Sequence, residues 1–96
     1  MSKRPELTPY VAAEDLRDAD AIRAFLNDAL ATNDAAYVAH ALGVVARARG
    51  MAAVASETGS SREQLDRSLS SDGDPSLRTA LAVLQAVGMR LAAVAS

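Results

Sequence analysis

The chain has no cysteine and no tryptophan, three aromatic residues, three prolines and a single histidine among its 96 residues. Without cysteine there is neither a disulfide framework nor a thiolate metal site, a usage that fits a reducing cytoplasm. Long apolar runs are also missing. The longest uncharged stretches, such as "AAYVAHALGVVA" and "TALAVLQAVGM", fall short of the roughly 18 residues a membrane helix needs. Met1 to Pro5 is charged and no apolar run follows it, so no signal peptide is expected. These absences predict a soluble, cytoplasmic protein that makes no use of a membrane.

Catalytic constellations are absent as well. No Gly-rich phosphate loop, nucleophile elbow or HExxH motif occurs. The lone His40, within "VAHAL", has no acidic or cysteine neighbour at ligand spacing, so packing or surface exposure explains it better than metal binding or catalysis. Ser56 and Ser60 lack a base to activate them. The carboxylates Glu14, Asp15, Asp18 and Asp20 lie at or near a helix start, where capping accounts for them. The expectation is a non-enzyme without metal or cofactor.

What the chain has in quantity is alanine, at twenty-two positions. Alanine is the strongest helix former and brings little volume, so the composition suits short, closely packed helices and not a sheet. Ninety-six residues make one small domain with a modest core. The formal charge of -2 is unevenly placed. Residues 1–40 hold four basic and seven acidic side chains, whereas residues 41–96 hold six basic and five acidic. A mildly acidic first half and a near-neutral second half suggest two faces with different partners.

Met1 to Asp15, with Pro5 and Pro9, shows no period and reads as an extended arm. A helix then starts at Asp18, with Ile22, Phe25, Leu26, Ala29 and Leu30 on one stripe. "TND" (Thr32 to Asp34) ends it and caps a second, whose stripe is Val38, Ala41, Leu42 and Val45. Arg47 and Arg49 complement the dipole of its last turn before Gly50. Further on, Asp72-Gly73 turns the chain, Asp74 is the expected cap and Pro75 the expected first position of a fifth helix. That helix carries Leu77, Leu81, Leu84 and Val87 along one side and ends at Gly88. The apolar tail "MRLAAVA" fits a short strand, a helical extension or a dimer contact.

Between lie two short helices with helix-turn-helix punctuation over residues 51–70. Ala55 is the small residue for the helix crossing, and Gly59, four positions on, can take the left-handed conformation of the turn. Met51 and Val54 anchor the first helix; Leu65 and Leu69 anchor the second. Ser61 with Gln64 forms a capping box, and Ser60 with Glu63 offers the same pattern one register earlier.

These residues resemble the HigA-like antidote proteins of bacterial addiction (toxin–antitoxin) modules, which carry a λ-repressor-like, Xre-type helix-turn-helix. The resemblance rests on "DLRDADAIRAFLNDAL" (Asp15 to Leu30), "ARARGM" (Ala46 to Met51), "VASETGSSREQLDRSLS" (Val54 to Ser70) and "DGDPSLRTALAVLQAVGMRL" (Asp72 to Leu91), which together cover nearly the whole chain beyond the arm. It implies an all-α, five-helix dimer that binds a small basic ribonuclease toxin encoded beside it and represses its own operon. Two positions depart from the pattern. Ser60 stands where an apolar residue usually follows the turn glycine, and Asp66 stands where an aromatic is common.

With Leu65 and Leu69 facing in, Arg62, Glu63, Gln64, Asp66, Arg67 and Ser70 face out, beside Ser61 at the helix start. One reading is a solvated face held by two i, i+4 pairs, Glu63–Arg67 and Arg62–Asp66, each worth about 0.2–0.5 kcal/mol. The other is a reader of operator DNA in the major groove. Its arginines would reach guanine edges or phosphates, and Asp66 or Glu63 would accept from a cytosine amine or buttress an arginine. Arg47, Arg49 and Arg78 flank the motif and are candidate phosphate contacts, as are the hydroxyl and free amides at Ser61.

The expected domain thus spans residues 16–96 after an arm at 1–15, and dimerises through the fifth helix and the tail Met89 to Ala95. The rival readings are a protein–protein module whose helix-turn-helix survives only as scaffold for toxin binding, and a solitary phage-type regulator.

Overall fold

A computed structural model describes residues 18–70 and 72–95; the arm expected over residues 1–15 lies outside them. Five helices make up the fold, and no strand occurs among the described residues: α1 (Ala19–Ala31), α2 (Ala35–Arg49), α3 (Met51–Thr58), α4 (Arg62–Ser68) and α5 (Leu77–Ala86). The all-α, five-helix architecture is the one the alanine content and stripe spacing predict.

Each boundary has a local cause. Asp18 caps α1 by accepting from the Ala21 amide at 2.8 Å. The turn "TND" then works as a unit. Thr32 donates its hydroxyl to the Ala29 carbonyl, Asn33 takes the left-handed conformation at φ 56°, and Asp34 accepts from the amides of Ala36 and Tyr37 at the start of α2. At the far end of α2, Gly50 (φ 117°) is both the last cap of α2 and the first of α3, and the two helices meet there at 109°. No single described helix is long and apolar enough to cross a membrane.

The core is built from small and branched aliphatics. Val45, Val54, Leu65, Leu69 and Val83 are its largest fully enclosed side chains. Burying each stabilises the fold by about 1.5–3 kcal/mol relative to exposure. Ile22, Leu26 and Ala29 bring α1 onto α2, while α3 sits between α2, α4 and α5.

The fifth helix departs from its sequence reading in two ways. Its cap is Ser76, which accepts from the Thr79 amide at 3.0 Å. Asp74 and Pro75 therefore stay outside the helix, and Leu77 is its first residue. The buried stripe is also rotated. Val83, Leu84, Ala86 and Val87 face the core with Ala80 packed against it, whereas Leu77 and Leu81 are exposed (68% and 43%). The buried face closes on α3 and α2. Gly88 (φ 82°) ends the helix in a Schellman arrangement, with the Met89 amide donating to Leu84 O at 2.8 Å and the Gly88 amide to Gln85 O at 3.0 Å. The tail therefore does not extend the helix. Met89 packs against the core, and residues 90–95 run on exposed without regular structure.

Candidate nucleic-acid interface

Helices α3 and α4 are joined by a turn whose geometry follows from Gly59. At φ 74° it occupies the left-handed region, where a side chain costs roughly 1–2 kcal/mol. Its amide and that of Ser60 satisfy the carbonyls at the end of α3, Ser60 donating to Ala55 O at 3.1 Å. Met51, Val54 and Ala55 are buried, so α3 is held on its core side.

Of the two capping registers open in the sequence, the fold uses Ser61 with Gln64. The Ser61 hydroxyl accepts from the Gln64 amide at 3.1 Å, and the Gln64 side-chain oxygen accepts from the Ser61 amide at 3.4 Å. Helix α4 is short, ending at Ser68 with Leu69 as its cap. Leu65 and Leu69 are buried; Arg62, Glu63, Gln64, Asp66 and Arg67 are exposed. The Ser70 hydroxyl donates to the Arg67 carbonyl at 2.9 Å, closing the helix end.

The charges on this face pair differently from the helical i, i+4 expectation. Neither Glu63–Arg67 nor Arg62–Asp66 forms an ion pair among the described residues. Asp66 instead meets Arg47 of α2, Nη2 to Oδ1 at 3.2 Å, across nineteen positions of sequence. Local spacing cannot foresee this contact, because the fold brings the last turn of α2 beside α4. An open concavity of about 430 Å³ lies between them, lined by Arg47, Met51, Arg62, Glu63 and Asp66. The structure thus gathers Arg47, Arg62, Glu63 and Asp66 around one hollow. Arg49, Arg67 and Arg78 stand outside its lining, exposed and without an ion-pair partner among the described residues.

Sequence reasoning did not single out Gly43, which makes the arrangement possible. A Cβ there would stand 2.9 Å from the Leu69 carbonyl oxygen and 3.1 Å from Nη1 of Arg47. The bare backbone lets α2 lie against the end of α4, and the Arg47 guanidinium passes close over the same glycine. The signal in the sequence was a glycine in a helix interior, which costs about 1 kcal/mol against alanine and usually has a packing reason.

His40 lies exposed beside Tyr37, ring centroids 6.5 Å apart. Among the described residues no three His, Asp or Glu side chains converge as metal ligands would.

The fold and site define an all-α protein that presents a short, mixed-charge helix on a buried leucine pair. The chain belongs to the family described as probable addiction module antidote proteins, whose model matches residues 6–95. It is also 34% identical over 85 residues to an uncharacterized protein of Haemophilus influenzae, a match covering 88% of each chain. No solved structure matches. Membership of an antidote family supports an antitoxin role and implies a cognate toxin as partner.

Proposed function

We propose that the chain is the antitoxin of a type II toxin–antitoxin module, which neutralises a small ribonuclease toxin by direct binding and represses its own operon as a homodimer. In this reading α3 and α4 are a helix-turn-helix and α4 enters the major groove. The observation that carries the DNA role is the presentation of α4. A left-handed turn at Gly59 and two buried leucines hold the helix so that Arg62, Glu63, Gln64, Asp66 and Arg67 all face solvent. Arg62 and Arg67 have no ion pair to give up among the described residues. Arg49 and Arg78 are available for phosphates, and phosphate contacts position a reader without specifying sequence.

A dimer is supported by the face that α5 leaves uncovered. Leu77 and Leu81 on the helix and Leu91 and Val94 on the tail are exposed. Two copies joined there would read half-sites about one turn of duplex, roughly 34 Å, apart. The acidic half of the chain suits a basic toxin. Asp18 and Asp34 cap helices, Asp20 pairs with Arg23 at 3.1 Å, and Asp28 is exposed.

A toxin-only module is the second reading, favoured by one observation: the two cations exposed on α4 are matched by Glu63 and Asp66. Fluorescence anisotropy separates the two. The protein is titrated into the DNA upstream of its gene and into a scrambled duplex, each across a salt series. Tight binding to the upstream duplex alone supports the reader. Equal, weak binding that vanishes with salt supports the toxin-only module, because binding through phosphates alone is sequence-blind and strongly salt-dependent.

A further inference from the structure

The Arg47–Asp66 pair bears on how α4 would discriminate between bases, an inference that rests on the DNA reading above. Asp66 lies in the middle of the exposed face of α4, and a bare carboxylate there would oppose a duplex carrying one negative charge per 1.7 Å or so. One of its two oxygens is held by a cation. Arg47 approaches Oδ1 at 3.2 Å from a different helix. The guanidinium passes over Gly43, with Nη1 3.1 Å from where a Cβ would stand. The other oxygen, Oδ2, accepts no hydrogen bond from the described residues, and the Asp66 side chain remains 59% exposed. A carboxylate with one oxygen held by a cation and one free is a directed acceptor. In the major groove the exocyclic amine of cytosine is a donor, and Asp or Glu is the side chain that accepts from it.

We propose that Asp66 is a specificity-determining residue that accepts from a cytosine N4 amine, and that Arg47 is its positioning residue, cancelling its charge and fixing its orientation rather than contacting phosphate. The pair then works as one unit, with the cation on α2 and the acceptor on α4. Arg62 and Glu63 line the same hollow but lie one helical turn toward the start of α4, leaving Asp66 to meet a different base pair.

The test is a selection from short duplexes with randomised centres, carried out with the wild-type full-length chain, Asp66→Asn and Arg47→Met. Asn is nearly the same shape and both sites are exposed, so folding is retained and is verified by circular dichroism. Wild type should enrich cytosine at one position per half-site, discriminating against other bases by roughly five- to a hundredfold, the usual range for one mismatched pair. Asp66→Asn should move that preference to adenine, which asparagine reads through N6 and N7, with the other positions unchanged. Arg47→Met should weaken binding to every duplex and also reduce the preference for cytosine at that same position. The proposal is overturned if Asp66→Asn tightens binding to all duplexes equally, which would make Asp66 a repulsive charge only. It is equally overturned if Arg47→Met lowers affinity while leaving every base preference intact, which would make Arg47 a phosphate contact. A wild-type protein that enriches no sequence at all overturns the DNA reading itself, and that outcome is distinct from either.

Discussion

Gly43 of α2 faces the backbone carbonyl of Leu69 so closely that a Cβ at position 43 would stand 2.9 Å from its oxygen. The contact reverses an ordinary expectation. In an exposed helix interior Gly→Ala gains up to about 1 kcal/mol. Here the obstacle is backbone at the end of α4, which cannot move without dragging Leu69, a fully buried side chain. Gly43→Ala should therefore destabilise the domain, by about 1–3 kcal/mol as for other overpacked sites, and should disturb Arg47 because Nη1 lies 3.1 Å from the same point. Thermal unfolding gives the sign, and a raised melting temperature would show that α4 is not packed as described.

The capping register at α4 makes a second, cleaner comparison. Ser61 accepts from the Gln64 amide, whereas Ser60 gives its backbone amide to Ala55 O as part of the α3 turn. Ser61→Ala should cost about 1 kcal/mol, within the 0.5–2 seen for lost caps. For a domain of this size that lowers the melting temperature by roughly 4–8 °C per kcal/mol. Ser60→Ala should change stability by less than about 0.5 kcal/mol, as surface substitutions do. Equal losses from both would mean that the two registers share the capping.

The exposed leucines of α5 lead to a prediction about assembly. A Leu77→Ser, Leu81→Ser double variant removes one side chain that is 68% exposed and one that is 43% exposed in the monomer. It should therefore cost the monomer about 1–2 kcal/mol through the covered part of Leu81 and lost helix propensity, leaving it folded. If the face is a dimer contact, sedimentation should show a dimer for the parent and a monomer for the variant. Parent and variant both sedimenting as monomers would assign the face to another partner, and a loss of helicity would mean the leucines belong to the core after all.

Much of this fold is legible in the sequence because its determinants are local. Asp18, Asp34, Gly50, Gly59 and Ser61 each act within four residues of their own position, and period and cap together place α1 to α4 within a residue or two. The fifth helix was less legible because two stripes compete on it. Of the expected stripe, Leu84 and Val87 reach the core, but Leu77 and Leu81 stay exposed while Val83 and Ala86 turn inward. Hydrophobic pattern alone does not distinguish a core face from an exposed apolar one. In the candidate site, the exposure of Arg62, Glu63, Gln64, Asp66 and Arg67 follows from the Leu65/Leu69 spacing. The partner of Asp66 does not, since Arg47 arrives through tertiary structure. Ser70 was equally hidden, because its use as a hydroxyl donor to Arg67 O depends on α4 stopping at Ser68.

Arg62 and Arg67 allow the two proposed activities to be separated. Both are exposed on α4 and free of ion pairs among the described residues, so replacing them with alanine removes no contact that holds the fold, and the unfolding midpoint should barely move. If α4 reads DNA, each arginine that contacts a guanine edge contributes about 1–3 kcal/mol of discrimination. The double variant Arg62→Ala, Arg67→Ala should then lose selective operator binding outright, while its affinity for the cognate toxin stays at the parent level, since the acidic half of the chain proposed to meet the toxin lies outside α4. If α4 is scaffold, the variant should match the parent in both assays. Loss of toxin binding with DNA binding intact would place the toxin on α4 and move the operator contact elsewhere. Measuring both affinities on the same preparations, at one salt concentration, makes the three outcomes distinguishable.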